Sequence, residues 1–414
     1  MGKVKALRCR ECGKEYPPTK LYICQDCFAP LDVVYDYDAI ELDKKSFSER
    51  PKSLWRYAEL LPISKESQII DLGAGYTPLK RAERLATSLG LKNLYIKDDT
   101  VNPTGSFKDR PSTIAVSKAT EFRAEAVGCA STGNLAAAVA AHAAKAGLPC
   151  YVLVPLGTEL NKLIQATCYG AKILAVDGTY DEANRLAIEV AETYNWVFAN
   201  FNVRPYYVEG SKTLAFEVCE QLDWNPPDHV IVPTGSGALL CAIGRGFDEF
   251  KRLDLIEDKR IKISSAQAYG CSPIATALKK GGDIEPVEKP QTIAKSLAIG
   301  DPADGAYAVK TVQNSGGFGE DATDQEVVEA IKLLARTAGV FAEPAGGVTV
   351  ACLKKLVQDG RISKDETVVC YITGNGFKAT EAITPCLPEL LRIRPTLESF
   401  KEAVEEKEAE TWLR

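Results

Sequence analysis

The feature that most constrains the fold is an alternation of short β-branched runs with longer Ala-rich amphipathic segments between residues 68 and 373. Short runs of β-branched residues are typical of strands, and apolar residues spaced three to four apart are typical of helices. Strands that alternate with helices form parallel sheets covered on both faces. We therefore predict an α/β fold with strands at 93–97, 126–130, 150–155, 172–176, 230–233, 262–266 and 367–373, and helices including 135–147, 179–194, 209–222 and 324–338.

Ligands of parallel sheets bind in the loops beyond the carboxyl ends of the strands. Four loops in this position are rich in small and polar residues: 100–110, 131–134, 234–238 and 373–378. We expect the chemistry of the protein to lie where these loops meet.

Composition narrows the class of protein. The 414 residues are 45% hydrophobic and 26% charged, as in a soluble globular protein with one large core or two smaller ones. A net charge of -6 without a basic cluster argues against a nucleic-acid partner. The longest apolar stretch, 135–155, is interrupted by His142 and Lys145, and residues 1–10 contain no apolar signal core. We predict a cytoplasmic protein without a membrane partner.

The amino-terminal residues carry a strong metal-site pattern. Cys9-x-x-Cys12 and Cys24-x-x-Cys27 place four thiolates on two short turns, the arrangement that suits a tetrahedral, structural Zn²⁺. We predict a zinc-ribbon-like module over residues 1–35, with metal-free packing as the alternative. A disulfide is less expected in a reducing cytoplasm. Four thiolate ligands leave no open position for catalysis, so the metal would stabilise a module too small for its own core.

The segment N-P-T-G-S-F-K-D-R, residues 102–110, follows a predicted strand and precedes a predicted helix. A lysine buried there would have a lowered pKa and would be nucleophilic. The segment resembles the lysine loop of the fold type II pyridoxal-phosphate (PLP) enzymes, in which the matching lysine binds the cofactor aldehyde covalently. The resemblance implies that Lys108 carries PLP, and that the fold is tryptophan synthase β-like, with two parallel-sheet subdomains.

Three further stretches match that family. In C-A-S-T-G-N-L-A-A-A (129–138), the resemblance implies that Asn134 hydrogen-bonds the cofactor's ring hydroxyl. In Y-I-T-G-N-G-F-K-A (371–379), it places Thr373 at the pyridine nitrogen, where a neutral hydroxyl favours eliminations and replacements. In P-T-G-S-G-A-L-L (233–240), a glycine-rich turn opening a helix would bind the cofactor phosphate. The residues implied at the phosphate are Gly235, Ser236, Gly237, Ala238 and Leu239.

Within this fold type, the chain resembles the threonine synthase family over nearly its whole length. Further matching stretches are V-E-G-S-K-T-L-A-F-E-V (208–218), S-A-Q-A-Y-G-C-S-P-I-A (265–275), Q-T-I-A-K-S-L-A-I-G-D-P (291–302) and F-A-E-P-A-G-G-V (341–348). The resemblance implies that O-phosphohomoserine and water are converted to threonine and phosphate. The amine of Lys108 would act as the general base at Cα and then at Cβ.

The same resemblance implies an organisation for the chain. We predict a catalytic domain over residues 36–390, containing a smaller mobile subdomain at about 95–205, and a homodimeric assembly. Residues 391–414 are charged and include the run E-E-K-E-A-E, which predicts a solvated helical tail.

Substrate contacts follow from the resemblance only in part. Ser131, Thr132 and Gly133 match the loop that binds the substrate α-carboxylate. Many relatives place an arginine two residues before the glutamate of E-G-x-K-T, whereas this chain has Tyr207 there. We therefore expect the guanidinium of Arg204 or Arg110 to bind the substrate phosphate, because paired charge-assisted hydrogen bonds suit that group.

Other functions share these loops. A serine or threonine dehydratase, a cysteine synthase, or a cysteate synthase that consumes O-phosphoserine and sulfite would use the same Lys108, Asn134 and Thr373. The pocket for a γ-phosphate separates these activities. A different class is a zinc-ribbon module that binds nucleic acid or protein, although residues 1–35 lack a long basic face.

Overall fold

The computed structural model of the chain describes residues 1–408. The strands are β1 (Val4–Cys9), β2 (Glu15–Tyr16), β3 (Leu31–Tyr35), β4 (Leu79–Arg81), β5 (Asn93–Asp98), β6 (Ala126–Ala130), β7 (Cys150–Pro155), β8 (Lys172–Val176), β9 (Trp196–Phe198), β10 (His229–Pro233), β11 (Lys262–Ala268), β12 (Gly319–Ala322) and β13 (Thr367–Ile372). The helices are α1 (Glu83–Leu89), α2 (Asp109–Glu121), α3 (Asn134–Ala146), α4 (Ile164–Cys168), α5 (Tyr180–Thr193), α6 (Arg204–Tyr207), α7 (Thr213–Gln221), α8 (Ala238–Arg252), α9 (Pro273–Lys280), α10 (Gly305–Ser315), α11 (Asp324–Ala338), α12 (Pro344–Gln358) and α13 (Leu397–Glu408).

Within residues 1–408 the strands form three sheets. The largest has the order β12-β11-β10-β13-β5-β4 and is parallel except for the antiparallel edge strand β4. The second, β8-β7-β6-β9, is parallel throughout. The amino-terminal sheet, β2-β1-β3, is antiparallel. The predicted α/β architecture with two parallel sheets is confirmed.

Strand β13 shows why the central strands are continuous apolar runs. Val369 and Tyr371 point into one hydrophobic cluster, which contains residues of α7 and α8. Their neighbours Val368 and Ile372 point into another, which contains residues of α11 and α12. Because side chains alternate along a strand, a parallel strand with helices on both faces must be apolar at nearly every position.

The amino-terminal module shares a core with the rest of the chain. Leu7 of β1 and Val33 of β3 are buried in the cluster that also contains Phe247 of α8. A hydrogen bond from Tyr35 Oη to Glu209 Oε2, 2.9 Å long, adds a polar contact at this interface. The module is therefore packed firmly against the α/β region.

All seven predicted strands occur, but the short strands β4, β9 and β12 were not predicted. The sequence of β12 is Gly-Glu-Asp-Ala, which resembles a polar loop. Glu320 is nevertheless buried, because its carboxylate accepts from Lys279 Nζ at 2.5 Å. Tertiary contacts here override strand propensity. The predicted helix 209–222 also begins differently, as the 3-10 turn Val208–Lys212, and is α-helical only from Thr213.

The carboxyl-terminal tail is helical over α13, whereas residues 391–396 have no regular structure. Residues 409–414 of the predicted tail lie outside the described part of the chain. No helix within the described residues is long and apolar enough to cross a membrane.

Candidate active site

The four loops singled out in the sequence meet around one cavity of about 760 Å³. It lies between the two parallel sheets, beyond the carboxyl ends of β5, β6, β10 and β13. The predicted site residues that line it are Lys108, Ser131, Thr132, Gly133, Asn134, Gly235, Ser236, Gly237, Ala238, Leu239 and Thr373.

Helices α2, α3, α8 and α12 each begin at this cavity. The residues immediately before their first turns are Lys108, Gly133, Gly237 and Glu343, and all four line the cavity. Helix amino termini present unpaired N–H groups and a partial positive charge. The four helix starts therefore favour the binding of anions in the cavity.

Lys108 is half-buried, and the accessible part of the residue faces the cavity. Burial lowers its pKa to about 8, although the carboxylate of Glu343 opposes that shift. The Nζ atom lies 3.4 Å from Tyr207 Oη. At a pKa of about 8, roughly a tenth of this amine is unprotonated at pH 7, far more than for an ordinary lysine, and the free amine is a nucleophile and a base.

The backbone holds the lysine loop against the loop that follows β13. The N–H of Phe107 donates to the carbonyl of Thr373 at 2.8 Å, and the N–H of Asn375 donates to the carbonyl of Gly105 at 2.9 Å. These bonds form because β5 and β13 are parallel neighbours whose carboxyl ends lie together. Lys108 is thereby fixed beside Thr373, which is buried at the wall of the cavity.

Asn134 has a partner that the sequence did not identify. Its Nδ2 donates to Glu343 Oε2 at 3.0 Å. Glu343 is buried, and burial raises the pKa of its carboxyl group. The carboxylate also approaches Gly374 so closely that a Cβ there would lie 2.4 Å from Oε1. Glu343 therefore orients the Asn134 amide by accepting one of its two N–H groups, which leaves the other N–H group for a further partner.

The glycine turn, residues 235–239, links β10 to α8 in a conformation that requires glycine. Gly237 has φ of +93°, and a Cβ there would lie 2.7 Å from the carbonyl oxygen of Asp304. A side chain is excluded by both backbone strain and contact. The turn can therefore present its N–H groups to a ligand at close range, as phosphate-binding turns do.

The structure corrects the expectation for Arg110. Its guanidinium is completely buried and donates to Asp99 at 2.6 and 2.8 Å, to Thr213 Oγ1 at 2.9 Å and to both carboxylate oxygens of Glu217. It does not line the cavity. Because each of its nitrogens is engaged with a buried acceptor, Arg110 has no donor left for a substrate phosphate.

Arg204 also lies outside the cavity lining. Its guanidinium pairs with the buried carboxylate of Asp304. The cations that line the cavity besides Lys108, among the described residues, are the lysines Lys162, Lys295 and Lys378. Lys295 and Lys378 lie in the matching stretches 291–302 and 371–379, but the spacing of the three loops along the chain did not predict that these lysines converge.

These lysines differ in their partners. Lys378 Nζ donates to Thr104 O at 2.8 Å and to Gln165 Oε1 at 2.6 Å, and burial lowers its pKa. Lys162 lies near the carboxylates of Glu159 and Glu381. The side chain of Lys295 is exposed and has no hydrogen-bond or ion-pair partner within the described residues. Lys295 is thus the cavity lysine most available to an anionic substrate.

The four amino-terminal cysteines converge at a separate place. Their Sγ atoms all lie within 4.8 Å of one another. Cys9 Sγ is 3.4 Å from Cys27 Sγ, and Cys12 Sγ is 3.6 Å from Cys24 Sγ. These distances are far beyond a disulfide bond of about 2.05 Å. They are close to the roughly 3.8 Å between sulfurs that Zn–S bonds of about 2.3 Å give in a tetrahedral site.

Comparison with known proteins agrees with this architecture. Residues 70–374 match the family model of the pyridoxal-phosphate dependent enzymes. The fold is similar to that of maize serine racemase, with a TM-score of 0.62 and 21% identity over 81% of this chain and 93% of that one. It is similar also to an L-serine ammonia-lyase from Rhizomucor miehei, with a TM-score of 0.63 and 21% identity over 75% and 96% of the two chains.

Closer sequence relatives cover nearly the whole chain. The threonine synthase of Methanocaldococcus jannaschii is 41% identical over 96% of this chain and 99% of its own length. That of Methanosarcina acetivorans is 41% identical over 96% and 98% of the two chains. The cavity holds a buried amine of lowered pKa beside a glycine-rich, phosphate-binding type of turn, so the residues present fit the cofactor of this family. The chain belongs to the pyridoxal-phosphate dependent enzymes and, among them, to the threonine synthase family.

Proposed function

We propose that this protein converts O-phosphohomoserine and water to threonine and phosphate, with pyridoxal phosphate carried by Lys108. The observation that carries the proposal is the convergence of a lysine of lowered pKa, Asn134, Thr373 and the glycine turn on one cavity. Relatives of about the same length and 41% identity that are threonine synthases support the substrate.

Each cofactor contact has a proposed residue. The Lys108 amine binds the aldehyde, and Asn134, oriented by Glu343, donates to the ring hydroxyl. Backbone N–H groups of residues 235–239 bind the phosphate, and the Thr373 hydroxyl meets the pyridine nitrogen. When bound, the cofactor withdraws electrons from the substrate carbons, which makes the protons on Cα and Cβ removable.

With substrate and cofactor in place, the free amine of Lys108 would act as the general base at Cα and then at Cβ. A pKa of about 8 suits both removal and return of protons near neutral pH. Tyr207 Oη, 3.4 Å from Nζ, can hydrogen-bond the amine between these transfers. Loss of phosphate from Cγ and addition of water at Cβ complete the conversion to threonine.

The substrate α-carboxylate is assigned to residues 131–133, at the amino terminus of α3. Ser131 and Thr132 offer hydroxyls, and Gly133 immediately precedes the first helical turn. Because residues 131–133 precede α3 and the glycine turn precedes α8, the carboxylate and the cofactor phosphate would be bound by the starts of different helices.

For the substrate phosphate we propose Lys295 in place of the arginines expected from the sequence. Replacing Lys295 with methionine should raise KM for O-phosphohomoserine roughly tenfold or more, since a hydrogen bond to a charged group contributes about 1.5–3 kcal/mol. Steady-state kinetics would measure the change. The matched control is Lys310→Met, on the exposed side of α10, which should leave KM unchanged. An unchanged KM in Lys295→Met would rule out this role.

The experiment that tests the function is an assay of purified, PLP-loaded protein with O-phosphohomoserine, and in parallel with O-phosphoserine plus sulfite. Equal amounts of phosphate and threonine from the first substrate support the proposal. Cysteate from the second would place the chain with the sulfite-using alternative, and keto acid and ammonia from serine or threonine would indicate a dehydratase. Neither alternative would change the assignment of Lys108.

We propose further that Cys9, Cys12, Cys24 and Cys27 bind one structural Zn²⁺. The sulfur distances support a tetrahedral site, and Cys9 and Cys24 are buried while Cys12 and Cys27 are exposed. We expect about one zinc per chain by metal analysis, lost in Cys12→Ser, because a structural site requires all four ligands. Replacement of the exposed Cys168, outside the cluster, should leave the metal content unchanged.

A cytoplasmic homodimer completes the proposal. The segment before and within α13 exposes several large apolar side chains, among them Leu390 at 92%, Leu397 at 69% and Phe400 at 54%. Apolar groups clustered in this way are typical of surfaces covered by another chain. A zinc-ribbon role in nucleic-acid binding receives no support from a net charge of -6.

A further inference from the structure

Asp304, outside the cavity lining, connects separate parts of the molecule. It precedes the first turn of α10, and its carboxylate is buried, with 1% of the side chain exposed. Oδ1 accepts from Arg10 Nη1 at 2.8 Å, and Oδ2 pairs with Arg204. Two guanidinium groups therefore fix the position of this buried carboxylate. Loss of either one would leave part of the negative charge of the carboxylate buried without a partner.

The backbone of Asp304 reaches the glycine turn. Its N–H donates to the carbonyl of Ser236 at 2.9 Å. Its carbonyl oxygen is the atom that leaves no room for a side chain at Gly237. The position of the start of α10 therefore determines the position of residues 236 and 237.

The cysteine turn, residues 9–12, is the other end of this connection. Arg10 and Glu11 are the two residues between Cys9 and Cys12. The Arg10 guanidinium lies 4.9 Å from the centre of the Tyr307 ring, and Glu11 Oε1 accepts from Tyr307 Oη at 2.6 Å. The cysteine turn thus contacts the start of α10 at Asp304 and again, less than one helical turn later, at Tyr307.

Arg204 extends the connection toward the lysine. It is the first residue of α6, whose last residue is Tyr207. Tyr207 is the residue whose hydroxyl lies 3.4 Å from Lys108 Nζ. Asp304 is therefore bonded to two parts of the site. Its backbone is bonded to the glycine turn, and its carboxylate is bonded to α6, which carries the contact with Lys108.

We propose that the cysteine turn positions the phosphate-binding end of the cofactor site, with Arg10 and Asp304 as positioning residues. A metal bound by the four thiolates fixes the backbone of residues 9–12, which orients Arg10 toward Asp304 and thereby holds the turn at Ser236 and Gly237. The inference deepens the proposed function and rests on it, because it takes residues 235–239 as the phosphate site and the cysteines as the metal site.

The test compares two aldehydes that differ only in the phosphate group. Apo-protein is titrated with pyridoxal phosphate and with pyridoxal, and binding is followed by the visible absorption of the lysine-bound aldehyde. In Arg10→Met, we expect the Kd for pyridoxal phosphate to rise roughly tenfold, since the bonds lost are charge-assisted, while the Kd for pyridoxal changes less than about twofold. Asp304→Asn should show the same selective loss, and so should wild-type protein after chelation, with recovery on adding zinc.

The matched control is Arg8→Met. Arg8 lies in the same module but pairs with the exposed Glu15, 2.6 Å away, and within the described residues it forms no side-chain hydrogen bond or ion pair with α10. The Arg8→Met variant should bind both aldehydes with the same Kd values as the wild type. Equal losses for the two aldehydes in Arg10→Met, or no loss for either, would overturn the inference. If Arg10→Met does not fold, Tyr307→Phe takes its place, because it removes only the hydroxyl that is bonded to Glu11. We then expect Tyr307→Phe to weaken the binding of pyridoxal phosphate and not that of pyridoxal.

The wild-type measurements separate this inference from the function on which it rests. If wild-type protein bound pyridoxal as tightly as pyridoxal phosphate, the assignment of residues 235–239 would be wrong, whatever the variants showed. If the wild type prefers pyridoxal phosphate and Arg10→Met keeps that preference in full, only the positioning role fails.

Discussion

Lys108→Ala is expected to lower kcat/KM for threonine formation by a factor on the order of 10⁴ or more, because the side chain serves two functions. In the proposed function it binds the cofactor covalently and afterwards transfers protons, and general-base catalysis alone contributes a factor of roughly 10²–10⁴. The Lys108 amine, with a pKa of about 8, lies at the start of α2 and lines the cavity.

Mass spectrometry after borohydride reduction would measure covalent cofactor, alongside kinetic assays. The matched control is Lys118→Ala, since Lys118 lies on the same helix and has a lowered pKa but does not line the cavity. The control should keep its cofactor. Retention of reducible cofactor and near wild-type activity in Lys108→Ala would exclude Lys108 as the attachment site.

The same amine should give a pH dependence. Burial lowers the pKa of Lys108 from 10.5 to about 8, so its unprotonated fraction rises tenfold per pH unit below 8 and levels off above it. The rate at which apo-protein captures the cofactor aldehyde should follow this curve. A rate that continued to rise to pH 10 would indicate an ordinary exposed lysine.

Arg110→Met is expected to destabilise the fold by about 3–5 kcal/mol, because it leaves buried carboxylates without their partner. Asp99 and Glu217 both depend on this guanidinium. Burial alone would raise the pKa of Glu217, yet Arg110 and Lys97 hold it at about 2. The stability gained from Glu217 is present above pH 4.5 and is lost as pH falls from 4.5 toward 2.

Urea unfolding of Arg110→Met at neutral pH would measure this loss. Arg81→Met is the matched control, because Arg81 is exposed and lies 3.9 Å from an exposed Glu83, a pair that contributes about 1 kcal/mol or less. If Arg110→Met were as stable as wild type and instead raised KM for O-phosphohomoserine, the guanidinium would have to reach the substrate in solution, and the burial described above would not hold.

Much of the site was predictable because its residues lie in contiguous loops. The lysine loop, S-T-G-N and G-S-G each carry proposed site residues within a few positions of the strand that precedes them. In a parallel sheet, loops at the carboxyl ends of neighbouring strands lie together. The pattern of strands and helices therefore predicted that Lys108, Asn134 and the glycine turn would share one place.

The residues that were missed or misassigned lie beside residues far away in the sequence. Glu343 is 209 positions from Asn134, and Lys295 lies in a segment whose neighbours at the cavity come from other loops. Arg110 sits two residues from Lys108, yet its side chain points to the opposite side of the helix start, into contacts with Glu217, 107 positions away. Spacing along the chain carries no information about such pairs.

What the sequence determined by itself is the α/β class, the loops that meet at the cavity and the cysteine pattern, because periodicity and loop motifs are local properties of the chain. Only the tertiary structure decided which charges are neutralised by ion pairs and which reach the cavity. A buried charge is stable where a distant partner meets it, as Arg110 meets Glu217 and Arg10 meets Asp304, and the packing of the sheets and helices alone brings such partners together.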